Sequence, residues 1–291
     1  MASVIANFDR RWIFLAVGLL VVSLYAAGIS SELPESEYVR DFHATLEALP
    51  PGAIVLLSAD FDPASAAELL PMYQGVIHHL FARDLRIVNV ATWPAAPPFT
   101  QKEFARIAPL YGKTYGVDWV ELGFLPGDDV AMGSIGQSLR SAYPRDDRRT
   151  SWADLPLLAD VGDNMRGISL LITASAGYPG ILEWIAQVGG RYDVTLLAGT
   201  TAVQTPDLFA FYPLQLKGFL GAATGATQYL QLAAPLAARL PTGEGALDEV
   251  RDENQRRMLV QSWAHILILA LIVVGNVIYF RTRVPTGAAR R

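Results

Sequence analysis

The 291-residue sequence predicts an α/β domain with an open, mostly parallel sheet, held between an N-terminal and a C-terminal transmembrane helix. Three observations predict it. Short continuous apolar runs alternate with amphipathic helical stretches through the middle of the chain. Each end carries a long uncharged apolar segment. Charge is partitioned: of the 23 Lys and Arg residues, only Arg10, Arg11, Arg281, Arg283, Arg290 and Arg291 lie outside residues 30–260, whereas all but one of the 28 Asp and Glu lie inside.

The apolar ends set the topology. Residues 12–29 (WIFLAVGLLVVSLYAAGI) would make a helix roughly 27 Å long, the thickness of a bilayer core. Arg10 and Arg11 before it put the N-terminus in the cytoplasm. The rival reading is a cleaved signal peptide, with Ala26 and Gly28 as small cleavage-site residues; the reading adopted is an uncleaved anchor. Residues 258–280 form the second span, stopped by Arg281 and Arg283. Both tails, 1–11 and 281–291, are then cytoplasmic, and residues 30–257 are extracytoplasmic (periplasmic), anchored in the cytoplasmic (inner) membrane. Hydrophobic content of 52% with 18% charge agrees, being more apolar than an ordinary soluble domain.

Between the spans the elements follow in order. Residues 35–49 read as a connector helix with Tyr38, Phe42, Leu46 and Leu49 on one face, ended by Pro50-Pro51-Gly52. Residues 53–58 (AIVLLS) form a strand covered on both faces. The following helix buries Leu69, Leu70, Tyr73, Val76, Ile77, Leu80 and Phe81, with His78 opposite. Strands at 85–91 and 117–123 enclose a helix over 100–111, with Thr100 as N-cap and Glu103 at the capping-box position. Residues 126–163 read as an irregular insertion. A fourth strand at 167–173, a helix over 181–188 closed by Gly189-Gly190, and a fifth strand at 194–198 complete the series. This alternation is Rossmann-like or flavodoxin-like.

From 208 to 240 the character changes to a long apolar helical segment with Gly218, Gly221, Ala222 and Gly225 at one-turn spacings. Two readings stand: the small residues pack against the sheet, or they present an interaction face to another chain. In the second span, His265 and Asn276 lie about three turns apart on one face, where polar residues pack on protein rather than lipid.

Ligands of open parallel sheets bind beyond the carboxyl ends of the strands. The polar candidates there are Asp60, Asp62, Thr92, Ser175, Thr200 and Thr201, of which Asp60, Asp62, Ser175 and Thr200 form the candidate ligand-binding set. Asp60-Phe61-Asp62, just past a buried strand, resembles the DxD pair of haloacid-dehalogenase-type phosphotransferases. That resemblance implies a nucleophile, a general acid and a divalent metal. The chain departs from that pattern at Ala64, and its only lysine after the fourth strand is Lys217. Asp62-Pro63 also reads as a helix start, with the carboxylate accepting first-turn N–H groups.

Other chemistries are poorly served. The acidic middle domain excludes a nucleic-acid footprint, and the absence of cysteine excludes disulfides, thiolate metal sites and cysteine nucleophiles. No phosphate-cradling glycine motif is present, and the ASAGYPG turn after the fourth strand lacks a basic residue beside it. His78 and His79 are adjacent rather than four apart, so they do not form a helical metal pair. No catalytic residue, cofactor or metal is therefore expected.

The leading expectation is a non-enzymatic assembly subunit of a homo-oligomer or larger membrane complex. A membrane-tethered ligand-binding or sensor domain comes second, and a metal-dependent hydrolase using Asp60 and Asp62 third. The expected partners are further copies of the chain, other membrane proteins and the lipid bilayer.

Overall fold

The computed structural model describes residues 10–27, 33–239 and 245–282. The chain divides into a unit of residues 32–254 and a second made of residues 1–31 and 255–291.

In the larger unit six parallel strands form one sheet in the order β3-β2-β1-β4-β5-β6. They are β1 (Ile54–Asp60), β2 (Arg86–Ala91), β3 (Trp119–Phe124), β4 (Leu170–Ser175), β5 (Thr195–Thr200) and β6 (Gly218–Gly221). This is the doubly wound Rossmann order, with its switch point between β1 and β4. It decides against the flavodoxin-like alternative.

Burial on both faces explains why the strands read as unbroken apolar runs. Along β1, Val55, Leu57 and Ala59 enter one core, while Ile54 and Leu56 enter the other. Leu170, Ile172 and Ala174 of β4 join the first and Leu171 the second. Because side chains alternate, Ser58 and Asp60 point with Leu56, and Thr173 and Ser175 with Leu171. The polar residues of the two central strands thus share one face.

The first face is covered by α2 (Glu37–Glu47), α3 (Ala66–Ala82), α4 (Pro97–Ile107) and α10 (Ala222–Ala233), following the N-terminal helix α1 (Arg10–Ala27). The connector helix is therefore part of the core, with Val39, Phe42 and Leu46 fully buried. The second face is covered by the β3–β4 crossover, which contains α5 (Asp128–Gln137), α6 (Leu139–Ala142) and α7 (Pro156–Val161), together with α8 (Ile181–Trp184). The stretch expected to be irregular, 126–163, is thus a helical layer with Met132, Ile135, Leu139, Trp152, Leu157 and Leu158 buried.

Further expectations are corrected. The helix expected over 100–111 begins at Pro97, so Thr100 lies inside it and is no cap; its hydroxyl bonds the Pro97 carbonyl and the Glu121 carboxylate. Gly189-Gly190 do not end the helix after β4. It passes through a π-turn at Ile185–Gly189 and continues over Gly190–Tyr192. His78 is buried, its Nδ1 3.0 Å from the Tyr111 hydroxyl.

The largest correction concerns 208–240. Instead of one helix it holds α9 (Thr205–Leu208), turns, β6, then α10. Gly218 and Gly221 are strand residues and Gly225 lies in α10, all three buried. A Cβ on Gly218 would meet the Phe42 backbone nitrogen and lie 2.6 Å from its Cα; one on Gly225 would lie 2.8 Å from the Leu220 carbonyl carbon. Thr205 stands equally close to Gly221. These small residues are spent on close packing inside the domain, so they present no face to another chain.

The chain passes from the larger unit to the other within α11 (Ala246–Thr282), one continuous helix whose stretch Ala246–Phe280 is long and apolar enough to cross a membrane. Among the described residues it alone meets that length; the N-terminal apolar helix, Arg11–Ala27, is shorter. His265 and Asn276 are both exposed on α11. The tails expected at 1–11 and 281–291 lie for the most part outside the described residues.

Candidate functional site

Parallel pairing brings the carboxyl ends of all six strands to one edge, and there the candidate polar residues meet each other rather than a cavity. Asp60 ends β1 and is fully buried. Its Oδ1 accepts from the Ser58 hydroxyl at 2.7 Å, the Thr92 hydroxyl at 2.6 Å and the Thr92 N–H at 3.3 Å. Its Oδ2 accepts from the Thr173 hydroxyl at 2.6 Å and the Trp184 indole N–H at 2.9 Å. The register pairs Ser58 with Thr173 across the switch point, which is why the diagonal Asp60–Thr173 contact forms. Burial raises the Asp60 pKa, against the lowering effect of Thr173, Thr92, Ser58 and Trp184. With five donors on two oxygens the carboxylate ties β1 to β2, β4 and α8 and offers nothing outward.

Asp62 does something else. It stands at the surface, where its Oδ1 accepts the Ser65 N–H at 3.0 Å and hydroxyl at 2.8 Å. Those bonds lower its pKa. This is the capping role, and it leaves the two aspartates in separate environments rather than converging as a DxD pair. Ser175 is buried, donates to Gln204 Oε1 at 3.0 Å and accepts the Ile181 N–H at 3.2 Å. Thr200 is buried against the Thr205 hydroxyl at 3.2 Å. Thr201 is buried too, and its carbonyl accepts the Thr205 hydroxyl at 2.8 Å. Over the switch point the Trp93 indole donates to the Pro179 carbonyl at 2.7 Å, joining the loops that follow β2 and β4.

A cavity of about 250 Å³ opens beside the loops after β4 and β5, lined by Gly177, Tyr178, Glu183, Val203, Gln204 and Asp207 among others, and one of about 490 Å³ opens after β3, lined by Leu125, Gly127 and Ser134 among others. The cavity beside Tyr178 is lined by none of the expected ligand set, and Ser175 lies behind it, bonded to Gln204 and Gly177 of its wall.

A second polar chain crosses the first face. The Tyr73 hydroxyl donates to Asn89 Oδ1 at 2.6 Å, and Asn89 Nδ2 donates to Glu121 Oε1 at 2.7 Å. Glu121 Oε2 is buried with no hydrogen-bond partner. Burial pushes its carboxyl up to about 7, against the lowering by Thr100 and Asn89.

A third cluster lies where α2 and α3 meet. His43 and Glu47 of α2 and His79 of α3 bring one ligand atom each to within 4.8 Å of one another. His79 Nε2 is 3.0 Å from Glu47 Oε1, and its Nδ1 is 2.9 Å from the hydroxyl of buried Tyr229 on α10. The His43 and His79 rings stand 5.0 Å apart. Burial lowers the His43 pKa, outweighing the raising by Glu47 and Glu35. The legible signal was the four-residue spacing of His43 and Glu47, which puts both on one helix face.

These features define the class: an α/β protein with a Rossmann-ordered parallel sheet, closed at its switch point. No protein-family model matches the chain, and no curated protein is significantly similar to it.

Proposed function

We propose that this chain is a membrane-anchored, non-enzymatic assembly subunit. In this reading two spans, at 12–29 and 258–280, hold the Rossmann-like domain on the extracytoplasmic side, where it associates with further copies of itself. The observation that carries it is the closed strand edge. Asp60, Thr92, Thr173, Ser175 and Thr200, the groups a ligand or substrate would use, are buried and bonded to one another or to neighbouring loops. The same edge exposes Val203 (89%) and Tyr178 (62%), apolar surface of the kind that protein contacts cover.

The test is the mass of the intact particle in a mild detergent extract, with cross-linking at native expression. A defined multiple of the 31.6 kDa chain supports assembly. A lone chain that no reagent cross-links overturns it.

A second reading, a membrane-tethered binding domain, is favoured by the cavity beside Tyr178. Glu183 and Asp207 make its wall acidic, so it suits a cationic or neutral polar molecule. Saturable binding abolished by Glu183→Gln with Asp207→Asn, in a particle that is monomeric, would establish it instead.

A further inference from the structure

The cluster between α2 and α3 has the composition of a transition-metal site. We infer that His43, Glu47 and His79 bind one divalent transition-metal ion, with zinc as the reference case.

Two imidazoles and one carboxylate suit zinc and its first-row neighbours, and three protein ligands leave a fourth position for water. A tetrahedral ion with bonds of about 2.0–2.1 Å holds its ligand atoms roughly 3.3 Å apart. The His79–Glu47 pair already stands at 3.0 Å, and the widest separation in the cluster is 4.8 Å. His43 is half-buried, so its ring is the ligand of the three with room to adjust. Nothing hydrogen-bonds the His43 ring among the described residues, so it is not tied to another task.

The outer partners fit as well. A metal on His79 Nε2 requires the ring proton on Nδ1, where the Tyr229 hydroxyl 2.9 Å away can accept it. Arg83 approaches Glu47 Oε2 at 3.5 Å and is pinned to the Glu47 and Leu49 carbonyls, which leaves Oε1 to the cluster. Glu47 is one-third exposed, which gives the ion a path in from solvent.

The rival account is a metal-free His79–Glu47 ion pair.

The experiment uses the full chain in detergent, stripped with a chelator and titrated with zinc against a chromophoric competitor. Cobalt absorption then reports the coordination geometry. Wild type is expected to take up one zinc per chain and to melt at a higher temperature with zinc present. Tyr229→Phe should weaken binding roughly 10–100-fold, as loss of an outer partner does. His43→Ala should weaken it further and abolish the melting shift. Because the His43 ring is hydrogen-bonded to nothing among the described residues, this variant removes the ligand without orphaning a buried partner there. His265→Ala should leave binding unchanged. Zinc uptake equal in wild type and His43→Ala, loss of uptake in His265→Ala, or no uptake at all would each overturn the site in favour of the ion pair. Particle mass plays no part in these readouts, so the assembly reading can fail while the metal site stands.

Discussion

The indole N–H of Trp184 donates to the carboxylate of Asp60 at 2.9 Å, both side chains being completely buried. The bond joins the first helical turn after β4 to the last residue of β1 and so fastens the switch point of the sheet from inside. In Rossmann folds that crevice is where ligands sit; here it holds a carboxylate with its hydrogen-bonding capacity filled.

From this follows a contrast between two neighbouring aspartates. Asp60→Ala strands the Ser58, Thr92, Thr173 and Trp184 donors and is expected to destabilise the domain by about 3–5 kcal/mol. Asp62→Ala removes only a capping interaction and should lose about 0.5–2 kcal/mol. Urea unfolding of the two variants checks the pair. Equal losses would show that Asp60 does not brace the strands.

A second prediction concerns pH. Glu121 has its carboxyl raised by burial from 4.5 to about 7, so its contribution is complete below pH 4.5 and is lost as pH rises to 7. His78 is lowered by burial, and secondarily by Arg106, from 6.5 to about 3, so its contribution is complete above pH 6.5 and is lost as pH falls. Between pH 5 and 7 each amounts to about 2 kcal/mol with opposite sign. The two slopes therefore nearly cancel in the wild type. Glu121→Gln removes one of them, and its stability should rise by about 2 kcal/mol from pH 5 to pH 7. A flat profile in that variant would show that His78 does not carry this slope, and a wild type that already rises by about 2 kcal/mol would show that Glu121 does not titrate in this range.

The third prediction tests what the small residues are for. Gly218→Ala drives a methyl group into the Phe42 backbone, where neither strand nor helix can give way, and should destabilise by about 1–3 kcal/mol or more. Gly275→Ala in α11 meets open space and should be neutral or slightly stabilising, since alanine is the better helix former. Thermal melting distinguishes them. If Gly218→Ala changed particle mass at unchanged melting temperature, the glycine would belong to an interface after all.

The absence of cysteine makes topology directly measurable, since any introduced thiol is unique. Gln137→Cys lies on the domain surface and Ala289→Cys in the C-terminal tail. With two spans and cytoplasmic ends, an impermeant maleimide applied to intact cells labels the first and spares the second. The opposite pattern would reverse the orientation, and labelling of both would leave the chain with an odd number of spans.

Much of the α/β layering was legible because it rests on local pattern. Doubly covered strands need continuous apolar runs, and the runs at 53–58, 85–91 and 194–198 became β1, β2 and β5 with small shifts at their ends. Those shifts matter for the site. β1 extends through Asp60, which turns an expected loop residue into a strand side chain aimed at Trp184. β6 escaped because GFLG is short and glycine-rich; it is a strand only because β5 offers an edge and Phe42 needs the space that Gly218 leaves.

By itself, then, the sequence determined the alternation of strand and helix, the uncharged ends, the acidic middle and the absence of thiol chemistry, all of which depend on residue type and spacing along the chain. Strand order, the closure of the switch point around Asp60 and the meeting of His43, Glu47 and His79 were decided only by tertiary structure. The deciding contacts, Asp60 with Thr92, Thr173 and Trp184 and His79 with Glu47, join residues more than thirty positions apart, and whether a polar side chain faces solvent, a ligand or another side chain depends on what packing brings opposite it.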